Sequence, residues 1–302
     1  MEYKNSGITE ENCGNYLSSY SPKYLTALFG SDTGDSLSPL IHNKMYEKLN
    51  IPAVYKAFSI CRDDFREAFR AVRMLEFKGI NITYPFKEKA ISLVDELEES
   101  GEKIGAINTV EIEGSTVRGY NTDYIALKKL FKNWFAGKNM QPKILLVGAG
   151  GAARAVAAAI EYSQFLAPRR VLIANRTVDR ARNLATEFFN SSRISTELIN
   201  WDADAIGKII SDVNIIIDAT TLGWKEKLFP GAEKISEEQW VFDLSYPSQP
   251  SPLLKLAEEK GCKRENGLRM LLYQAQYAHE IWFDKVKFDK NILPENRFIT
   301  MD

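Results

Sequence analysis

The sequence predicts a two-domain α/β fold whose second domain is a doubly wound parallel sheet. Three observations lead to this prediction. Short apolar runs alternate with amphipathic stretches in the first part of the chain, a second series of more strongly apolar runs begins at residue 143, and a long amphipathic segment follows that series. The length of 302 residues is enough for two domains, at about 150 residues each.

The first part of the chain has a β-α-β-α-β rhythm. The predicted strands are YLTALFG, AVYKAFSI and GINITYPF, and the predicted helices are SPLIHNKMYEKL and DDFREAFRAVRMLEF. The segment NTVEIEGSTVRGYNTD then alternates with period two around Glu113, Gly114 and Ser115, which predicts a β-hairpin. We expect a helix from about Tyr124 to Phe135 to follow it.

A second rhythm begins at KILLVG, after a break at residues 136–139. The further predicted strands VLIAN, VNIIIDAT and WVFDLS are so apolar that helices must cover both faces of their sheet. The last predicted helix, roughly Leu268 to Phe283, comes after this sheet is complete, so we expect it to return to the first domain. The predicted domains are therefore 1–122 with 268–302, and 123–267.

Composition and charge argue against several classes of function. Lysine and arginine number 39 against 40 acidic residues, so binding of nucleic acid through bulk positive charge is not expected. No apolar run approaches the ~18 residues that cross a bilayer, and the polar start does not resemble a signal peptide, which predicts a cytoplasmic protein without a membrane partner. Three cysteines without CxxC spacing and two histidines, His42 and His279, give no basis for a metal site.

A glycine-rich turn lies where the second rhythm starts. The strand KILLV runs into GAGGAAR at 148–154 and then into an alanine-rich helix, which gives a GxGxxA pattern between a strand and a helix. Glycines allow a tight turn and close approach of a pyrophosphate, and the amides of the helix N-terminus donate to it. A purely structural turn is the alternative. We expect a Rossmann-type dinucleotide site that includes Gly148, Gly150, Gly151 and Ala152.

The residues after the next strand indicate which dinucleotide binds. An NAD site usually carries Asp or Glu there, whereas here VLIAN is followed by Arg176 and Thr177, with Arg180 one helical turn further. Guanidinium groups favour the 2'-phosphate of NADP. The alternative is a solvated helix start with Asn175 or Thr177 as N-cap. We expect NADP as the cofactor, with Asn175, Arg176, Thr177 and Arg180 in its site.

Polar clusters outside the glycine-rich turn lie at the ends of predicted strands, where open α/β folds place their ligands. They are SLSP at 36–39, NITYPFK at 81–87, AINT at 106–109 and GYNTD at 119–123. Together with LG at 222–223, DLSYPSQPSPLLKLAEEKG from residue 243 and ENGLRMLLYQAQYAHEIW from residue 265, they resemble the shikimate dehydrogenase family in the family's own order.

The resemblance implies an enzyme that reversibly reduces 3-dehydroshikimate to shikimate with NADPH, a step of chorismate and aromatic amino acid biosynthesis. It implies an N-terminal α/β substrate domain and a Rossmann-type NADP-binding domain. Our expectation for the assembly is a monomer or homodimer, which the sequence does not decide between. A quinate/shikimate enzyme or an enzyme for an amino-substituted analogue is the alternative, because paralogues keep the same catalytic pair. A non-catalytic protein that retains the fold is a third reading.

The catalytic pair implied by the resemblance is Lys87 and Asp123. An ammonium that donates to the oxygen of a ketone lowers the barrier to hydride transfer, and a carboxylate can orient that ammonium. By local sequence alone, Lys87 also fits a solvated helical lysine, and Asp123 fits a helix N-cap.

The same resemblance implies a set of binding residues. Two serines would bind the substrate carboxylate, and hydroxyl and amide side chains would hold its ring hydroxyls. Ser38, which precedes Pro39, also fits an N-cap, and Tyr246 also fits a core tyrosine. The substrate-binding residues are Ser36, Ser38, Thr83, Asn108, Tyr246 and Gln274, and Thr220 and Gly267 complete the cofactor site.

Three positions depart from the family's pattern. The loop before the serines usually carries a histidine but here contains Asp35, and we hypothesise that this carboxylate repels that of the substrate. Asp218 stands where the family has the asparagine of its N-A-T motif. Trp224 stands where a methionine is usual near the nicotinamide. The last two departures are expected to alter the seating of the cofactor.

Overall fold

The computed structural model describes residues 22–190 and 193–284, and in these residues the chain forms two six-stranded sheets. The first sheet has the spatial order β2-β1-β3-β5-β6-β4, in which β1 is parallel to β2 and β3, and β5 is antiparallel to β3 and β6. The antiparallel pair of β5 and β6 is the hairpin predicted around Gly114. The strands of this sheet are β1 (Tyr24–Gly30), β2 (Ala53–Ser59), β3 (Gly79–Ile82), β4 (Glu96–Leu97), β5 (Thr109–Glu113) and β6 (Thr116–Tyr120).

Helices cover both faces of the first sheet and alternate with its first strands as predicted. They are α1 (Ser38–Lys48), α2 (Phe65–Met74) and the short α3 (Glu99–Ile104). On one face, Ala27 and Phe29 of β1 pack in one cluster with Phe69 of α2. Leu28, between them, points to the other face and packs with Tyr46 of α1. This alternation follows from the period of two along a strand.

The second sheet has the order β12-β11-β10-β7-β8-β9, and each neighbouring pair is parallel. The order reverses between β7 and β10, and ligands of such sheets bind in the crevice at the carboxyl ends of the strands at this point. The strands are β7 (Lys143–Val147), β8 (Arg170–Ala174), β9 (Ser195–Ile199), β10 (Ile215–Asp218), β11 (Trp240–Asp243) and β12 (Lys263–Asn266).

Two separate apolar clusters cover the two faces of the second sheet, as its apolar strands predict. Ile144 and Leu146 of β7 belong to one cluster, and Leu145 and Val147 belong to the other. Residues of α4, α5 and α6 build the first cluster, and residues of α7 and α8 build the second. These helices are α4 (Thr122–Phe135), α5 (Gly151–Glu161), α6 (Val178–Phe189), α7 (Ala203–Ile209) and α8 (Pro252–Glu259).

The last helix, α9 (Leu268–Phe283), returns to the first sheet, which confirms the predicted fold class. Its Trp282 Nε1 donates a 3.0 Å hydrogen bond to the carbonyl of Val110 in β5. The division into domains at 122/123 and 267/268 stays a prediction. The predicted boundary at 122/123 falls within the first turn of α4. The two termini of the chain, and Cys13 with them, lie outside the described residues.

The two histidines form a buried pair between α1 and α9. His42 Nδ1 and His279 Nε2 are 2.8 Å apart, and both rings are fully buried. Burial lowers the pKa of His279 to about 3. The pKa of His42 is also lowered, mainly by burial and to a smaller extent by the neighbouring His279. Both rings are therefore neutral near pH 7, one donating to the other, and they hold the two helices together.

We predict that Gly79→Ala destabilises the contact between α9 and the first sheet. A Cβ at Gly79 would lie 2.1 Å from Trp282 Nε1 and 2.5 Å from the carbonyl oxygen of Val110. The variant must displace Trp282, and we expect the free energy of unfolding to fall by roughly 1–3 kcal/mol in chemical denaturation. The control is Gly34→Ala, where the nearest atom would be 4.0 Å away and stability should change by less than about 0.5 kcal/mol. Equal stability of the two variants would contradict this account.

Candidate active site

Lys87 is held by the segment that follows β3. The backbone nitrogen of Thr83 donates to the Phe29 carbonyl at 2.8 Å, and the buried ring of Phe86 stacks on Phe65 at 4.2 Å. The carbonyl of Lys87 accepts a 2.9 Å hydrogen bond from the backbone of Ile107. Contacts on both sides therefore fix the backbone from which this lysine extends.

Asp123 lies in the first turn of α4. The helix begins at Thr122, two residues before the predicted start, because the side chain of Asn121 accepts from the backbone nitrogen of Tyr124 at 3.0 Å. Asn121 is thus the N-cap, and the alternative that Asp123 caps this helix is wrong. A carboxylate in the first turn is favoured by the helix dipole.

The two predicted catalytic side chains meet. Lys87 Nζ and Asp123 Oδ2 are 2.6 Å apart, and the side chains are only 16% and 9% exposed. The alternative of a solvated lysine does not fit this burial. The pair keeps a small opening to solvent, so a ligand can reach the ammonium.

The predicted carboxylate-binding serines lie at the start of α1. Ser36 Oγ accepts from the backbone nitrogen of Ser38 at 3.2 Å. Leu37 occupies the N-cap position without a side-chain bond, so Ser38 is the first helical residue and its N-cap alternative is wrong. Ser38 is buried, Ser36 is half-buried, and Asp35 is exposed.

Tyr246 interacts with both Ser36 and Asp123, and so connects the serines to the Lys87–Asp123 pair. Burial raises the pKa of its phenol to about 12, the negative charge of Asp123 adds to this shift, and the nearby Ser36 hydroxyl opposes it. The phenol is therefore neutral and able to donate near pH 7. Its ring also meets Trp224, edge to face at 4.7 Å, so this departure from the family's pattern contacts a predicted substrate-binding residue.

Tyr55 belongs to the same cluster, and the sequence analysis missed it. Its hydroxyl donates to Asn81 Oδ1 at 2.8 Å, and its ring stacks on His42 at 4.1 Å. Burial raises the pKa of its phenol, and the nearby Ser38 hydroxyl opposes this shift. A tyrosine at an inward position of a strand needs a partner for its hydroxyl, and that requirement could have drawn attention to it.

The other predicted substrate residues differ in how they relate to the pair. Asn108 Oδ1 accepts from the backbone nitrogen of Thr122 at 2.7 Å, so Asn108 lies beside the turn that carries Asp123. Thr83 is half-buried in the segment leading to Lys87. Gln274 is buried in α9, where its Nε2 donates to the Leu271 carbonyl at 2.9 Å; this bond does not join it to another predicted site residue.

The glycine-rich turn has the form that a pyrophosphate requires. Gly148 has φ +107°, and a Cβ there would lie 3.1 Å from Thr220 Cγ2. Gly150 is the N-cap of α5, and a Cβ there would meet nothing within 4 Å, which leaves room for a ligand. A Cβ at Gly151 would lie 3.2 Å from Lys87 Cδ, so the turn touches the predicted catalytic lysine. Ala152 follows, half-buried, in the first turn of α5.

Two arginines lie exposed where β8 leads into α6. Within residues 22–190 and 193–284, neither Arg176 nor Arg180 forms an ion pair, whereas Arg182 pairs with Asp179 at 2.5 Å. Thr177 occupies the N-cap position without a side-chain bond, and Asn175 Nδ2 donates to the Thr177 carbonyl at 2.8 Å. Guanidinium groups without a carboxylate partner suit a phosphate.

Gly267 lies immediately before α9, where the chain passes from the second sheet to the first. A Cβ at this position would lie 2.0 Å from the carbonyl oxygen of Leu244, so no side chain fits. Its backbone nitrogen donates to the Ser245 carbonyl at 3.1 Å. This close approach connects the segments that follow β11 and β12, at the same edge of the sheet as Thr220.

Comparisons with known proteins follow the division between the two sheets. Residues 28–110 match the family model described as the shikimate dehydrogenase substrate binding domain, and residues 129–254 match the model described as shikimate / quinate 5-dehydrogenase. The shikimate dehydrogenase (NADP(+)) of Aquifex aeolicus is 36% identical over 261 residues, which are 85% of this chain and 90% of the relative. The chain belongs to the shikimate dehydrogenase family.

Solved structures of shikimate dehydrogenase family members agree with this assignment. The shikimate 5-dehydrogenase of Thermus thermophilus, solved in complex with NADP(H) and shikimate, matches with a TM-score of 0.76 and 28% identity over 89% of this chain and 97% of that one. A quinate dehydrogenase from Corynebacterium glutamicum, in complex with NAD, matches with a TM-score of 0.75 and 26% identity over 87% and 94%. The resemblance seen in the sequence is confirmed.

Among residues 22–190 and 193–284, no helix is long and apolar enough to cross a membrane. In the same residues, no group of three or more histidine, cysteine or acidic side chains could hold a metal ion. Cys61 is exposed and Cys262 is buried, and both are free thiols.

Proposed function

We propose that the protein catalyses the reversible, NADP-dependent reduction of 3-dehydroshikimate to shikimate. The observation that carries this proposal is the Lys87–Asp123 pair, 2.6 Å apart and in contact with the glycine-rich turn. The family membership and the NADP(+) enzymes among the relatives support it. When bound, NADPH supplies the hydride.

Lys87 has the role of holding the proton at the reacting oxygen. As negative charge develops on the ketone oxygen, an ammonium that donates to it stabilises that charge, the more so where the side chains are largely buried. Asp123 keeps the ammonium in place through its short contact with Nζ. In the reverse direction, the same pair receives the proton of the alcohol.

The proposed binding residues form two groups, one for the substrate carboxylate and one for its ring. The Ser36 and Ser38 hydroxyls are suited to the carboxylate, since they lie together at the start of α1. The side chains of Thr83, Asn108 and Gln274 are assigned to the ring hydroxyls, and Tyr246 adds a hydroxyl to the substrate site. Small hydroxyl and amide groups of this kind match a polyhydroxy acid.

The cofactor site follows the crevice at the carboxyl edge of the second sheet. The turn at Gly148, Gly150, Gly151 and Ala152 is suited to the pyrophosphate, since it combines open space with free helix amides. Arg176 and Arg180, with Asn175 and Thr177, are suited to the 2'-phosphate. Thr220 and Gly267 lie on the other side of the switch point and are assigned to the nicotinamide half.

The balanced charge and the small-molecule site favour a cytoplasmic enzyme that acts without a nucleic-acid or membrane partner. We propose a monomer or homodimer. Its proposed domains are 1–122 with 268–302 for the substrate and 123–267 for NADP.

A steady-state assay tests substrate and cofactor together. The purified protein is supplied with shikimate or quinate, each with NADP or NAD, and formation of the reduced nicotinamide is followed. We expect kcat/KM with shikimate and NADP to exceed every other combination by at least about tenfold. A preference for quinate or for NAD would replace the proposed substrate or cofactor, and no turnover by folded, NADP-binding protein would contradict the proposal.

Lys87→Ala should lower kcat by about 10²–10⁴-fold, because the developing oxyanion loses its proton donor. Lys89→Ala is the matched control, since Lys89 is exposed two residues away and should leave kcat unchanged. Thermal unfolding of both variants separates loss of catalysis from loss of folding. A folded Lys87→Ala protein with normal kcat would remove this lysine from the mechanism.

Arg176→Ala should raise KM for NADP about tenfold, the cost of one charge-assisted bond of about 1.4 kcal/mol, and leave KM for NAD unchanged. Arg182→Ala provides the comparison, because this arginine lies on the same helix but is paired with Asp179. If both variants keep the normal ratio of KM for NADP and NAD, Arg176 does not bind the 2'-phosphate.

A further inference from the structure

Two buried carboxylates lie side by side at the edge of the cofactor crevice. Asp218 is the last residue of β10, Asp243 is the last residue of β11, and the two are partners in the parallel register. Partners in neighbouring parallel strands point to the same face, and the strands are about 4.8 Å apart. Asp218 is 2% exposed and Asp243 is not exposed at all.

The two carboxylates accept hydrogen bonds but have no cation. Asp218 Oδ1 accepts from the backbone nitrogen of Thr220 at 2.8 Å. Asp243 accepts from the backbone nitrogen of Ser245 at 2.8 Å and from the hydroxyl of Ser251 at 2.5 Å. Within the described residues, no lysine, arginine or histidine pairs with either. Two buried like charges without a counter-ion do not both ionise readily.

The hydrogen bonds alone do not require a carboxylate at Asp218. Three neighbouring strands end in the same kind of turn, in which the last side chain accepts from the backbone two residues on. At the end of β12 this acceptor is the amide oxygen of Asn266, which receives the backbone nitrogen of Leu268 at 3.2 Å. An asparagine would therefore serve the turn at 218 equally well, and the acidic group needs another reason.

Among the charged groups near Asp218, Asp243 is the one whose charge raises its pKa. Burial, and then the charge of Asp243, raise the pKa of Asp218 to about 7; burial also raises the pKa of Asp243. Glu265 of β12 pairs in register with Phe242, so it lies on the opposite face, where Arg269 of α9 binds it.

Other charged and titratable groups near this edge are Lys225, which is exposed in the 3-10 turn Gly223–Lys225, and Tyr246 after β11, whose phenol stays neutral. The adjoining end of β7 contributes Val147 and Gly148, which do not titrate.

The position of the pair connects it to the nicotinamide half of the cofactor. In a sheet of this order, β10 to β12 form the second mononucleotide half. Thr220, which binds Asp218, packs against Gly148 of the pyrophosphate turn, and Asp243 Oδ2 would lie 2.9 Å from a Cβ on Gly223. The oxidised nicotinamide ring carries a positive charge that the reduced ring lacks, so the charge of the pair acts differently on the two forms.

We propose that Asp218 and Asp243 share one proton near neutral pH, and that this proton passes to solvent when oxidised cofactor binds but stays when reduced cofactor binds. Asp218 thereby sets the preference between the two redox forms of the cofactor. Higher pH ionises the pair fully and favours NADP+ over NADPH. The inference rests on the proposed function, since it needs NADP in this crevice.

The test measures the dissociation constants of NADP+ and NADPH between pH 6 and 8 in the full chain. The 2'-phosphate also titrates near pH 6. Because NADP+ and NADPH both carry this group, its titration does not change the ratio of the two dissociation constants. For the wild type we expect the ratio of Kd for NADPH to Kd for NADP+ to rise about three- to tenfold over this range, within the limit of tenfold per pH unit for one proton.

Asp218→Asn should make this ratio independent of pH while it keeps the turn at Thr220. Asp204→Asn removes an exposed carboxylate from α7, a helix that packs on the same sheet, and this variant should behave as the wild type. A ratio that is flat in the wild type, or that still changes with pH in Asp218→Asn, overturns the inference.

Calorimetry of the wild type in two buffers of different ionisation enthalpy gives a second readout that needs no variant. We expect NADP+ to release more protons than NADPH at pH 7, by up to one per site. Equal proton release overturns the inference and leaves the proposed function intact. Failure of either nucleotide to bind at any pH overturns both.

Discussion

The contact between Lys87 and Gly151 joins the two halves of the site. A Cβ at Gly151 would lie 3.2 Å from Lys87 Cδ, so the lysine stem runs directly over the start of α5. Because the position has only a hydrogen for a side chain, the segment after β3 and the turn after β7 approach closely. The carboxyl edges of the two sheets therefore face each other, and a ligand on one edge can meet a ligand on the other.

Two long helices support this approach by packing against both halves. The first turn of α4 is bonded to Asn108 of the first half at 2.7 Å, while Trp134 near its end packs against Phe242 of β11 at 5.0 Å between ring centroids. The last helix, α9, lies beside α4, where Lys129 Nζ donates to Gln276 Oε1 at 3.2 Å. The geometry of the Lys87–Asp123 pair thus depends on packing along these helices as well as on the pair itself.

Periodicity and turn chemistry were enough to predict the fold, because those signals are local. The alternation around Gly114 and the GxGxxA turn each lie within one short segment. The Lys87–Asp123 pair is different: its local sequence also fits a solvated lysine and an N-cap, and its predicted catalytic role comes from the family pattern. Their 36-residue separation in the chain gives no local signal that Lys87 and Asp123 meet.

The contacts that Tyr55, His42 and His279 make could not be predicted for the same reason. The two histidines are 237 residues apart in sequence, and each alone fits a core residue. His279 of the returning helix α9 bonds to His42, and the His42 ring stacks on Tyr55. The Tyr55 hydroxyl in turn lies near that of Ser38. Neutral, buried histidines suit this position, since a charged ring there would need a counter-ion that the packed core does not supply.

The ends of β10, β11 and β12 carry a regularity that is visible in the sequence only after the register is known. In each, the last residue is Asp or Asn and receives a backbone nitrogen two residues on, so the chain turns sharply out of the sheet at the same level. A parallel sheet buries these turns on both faces, and their backbone donors must find acceptors inside the protein. Asn266 meets that need without charge, whereas Asp218 and Asp243 meet it with two acids side by side. The need for an acceptor at these turns therefore sets where the two side chains lie, whereas the choice of aspartate over asparagine gives the pair its charge.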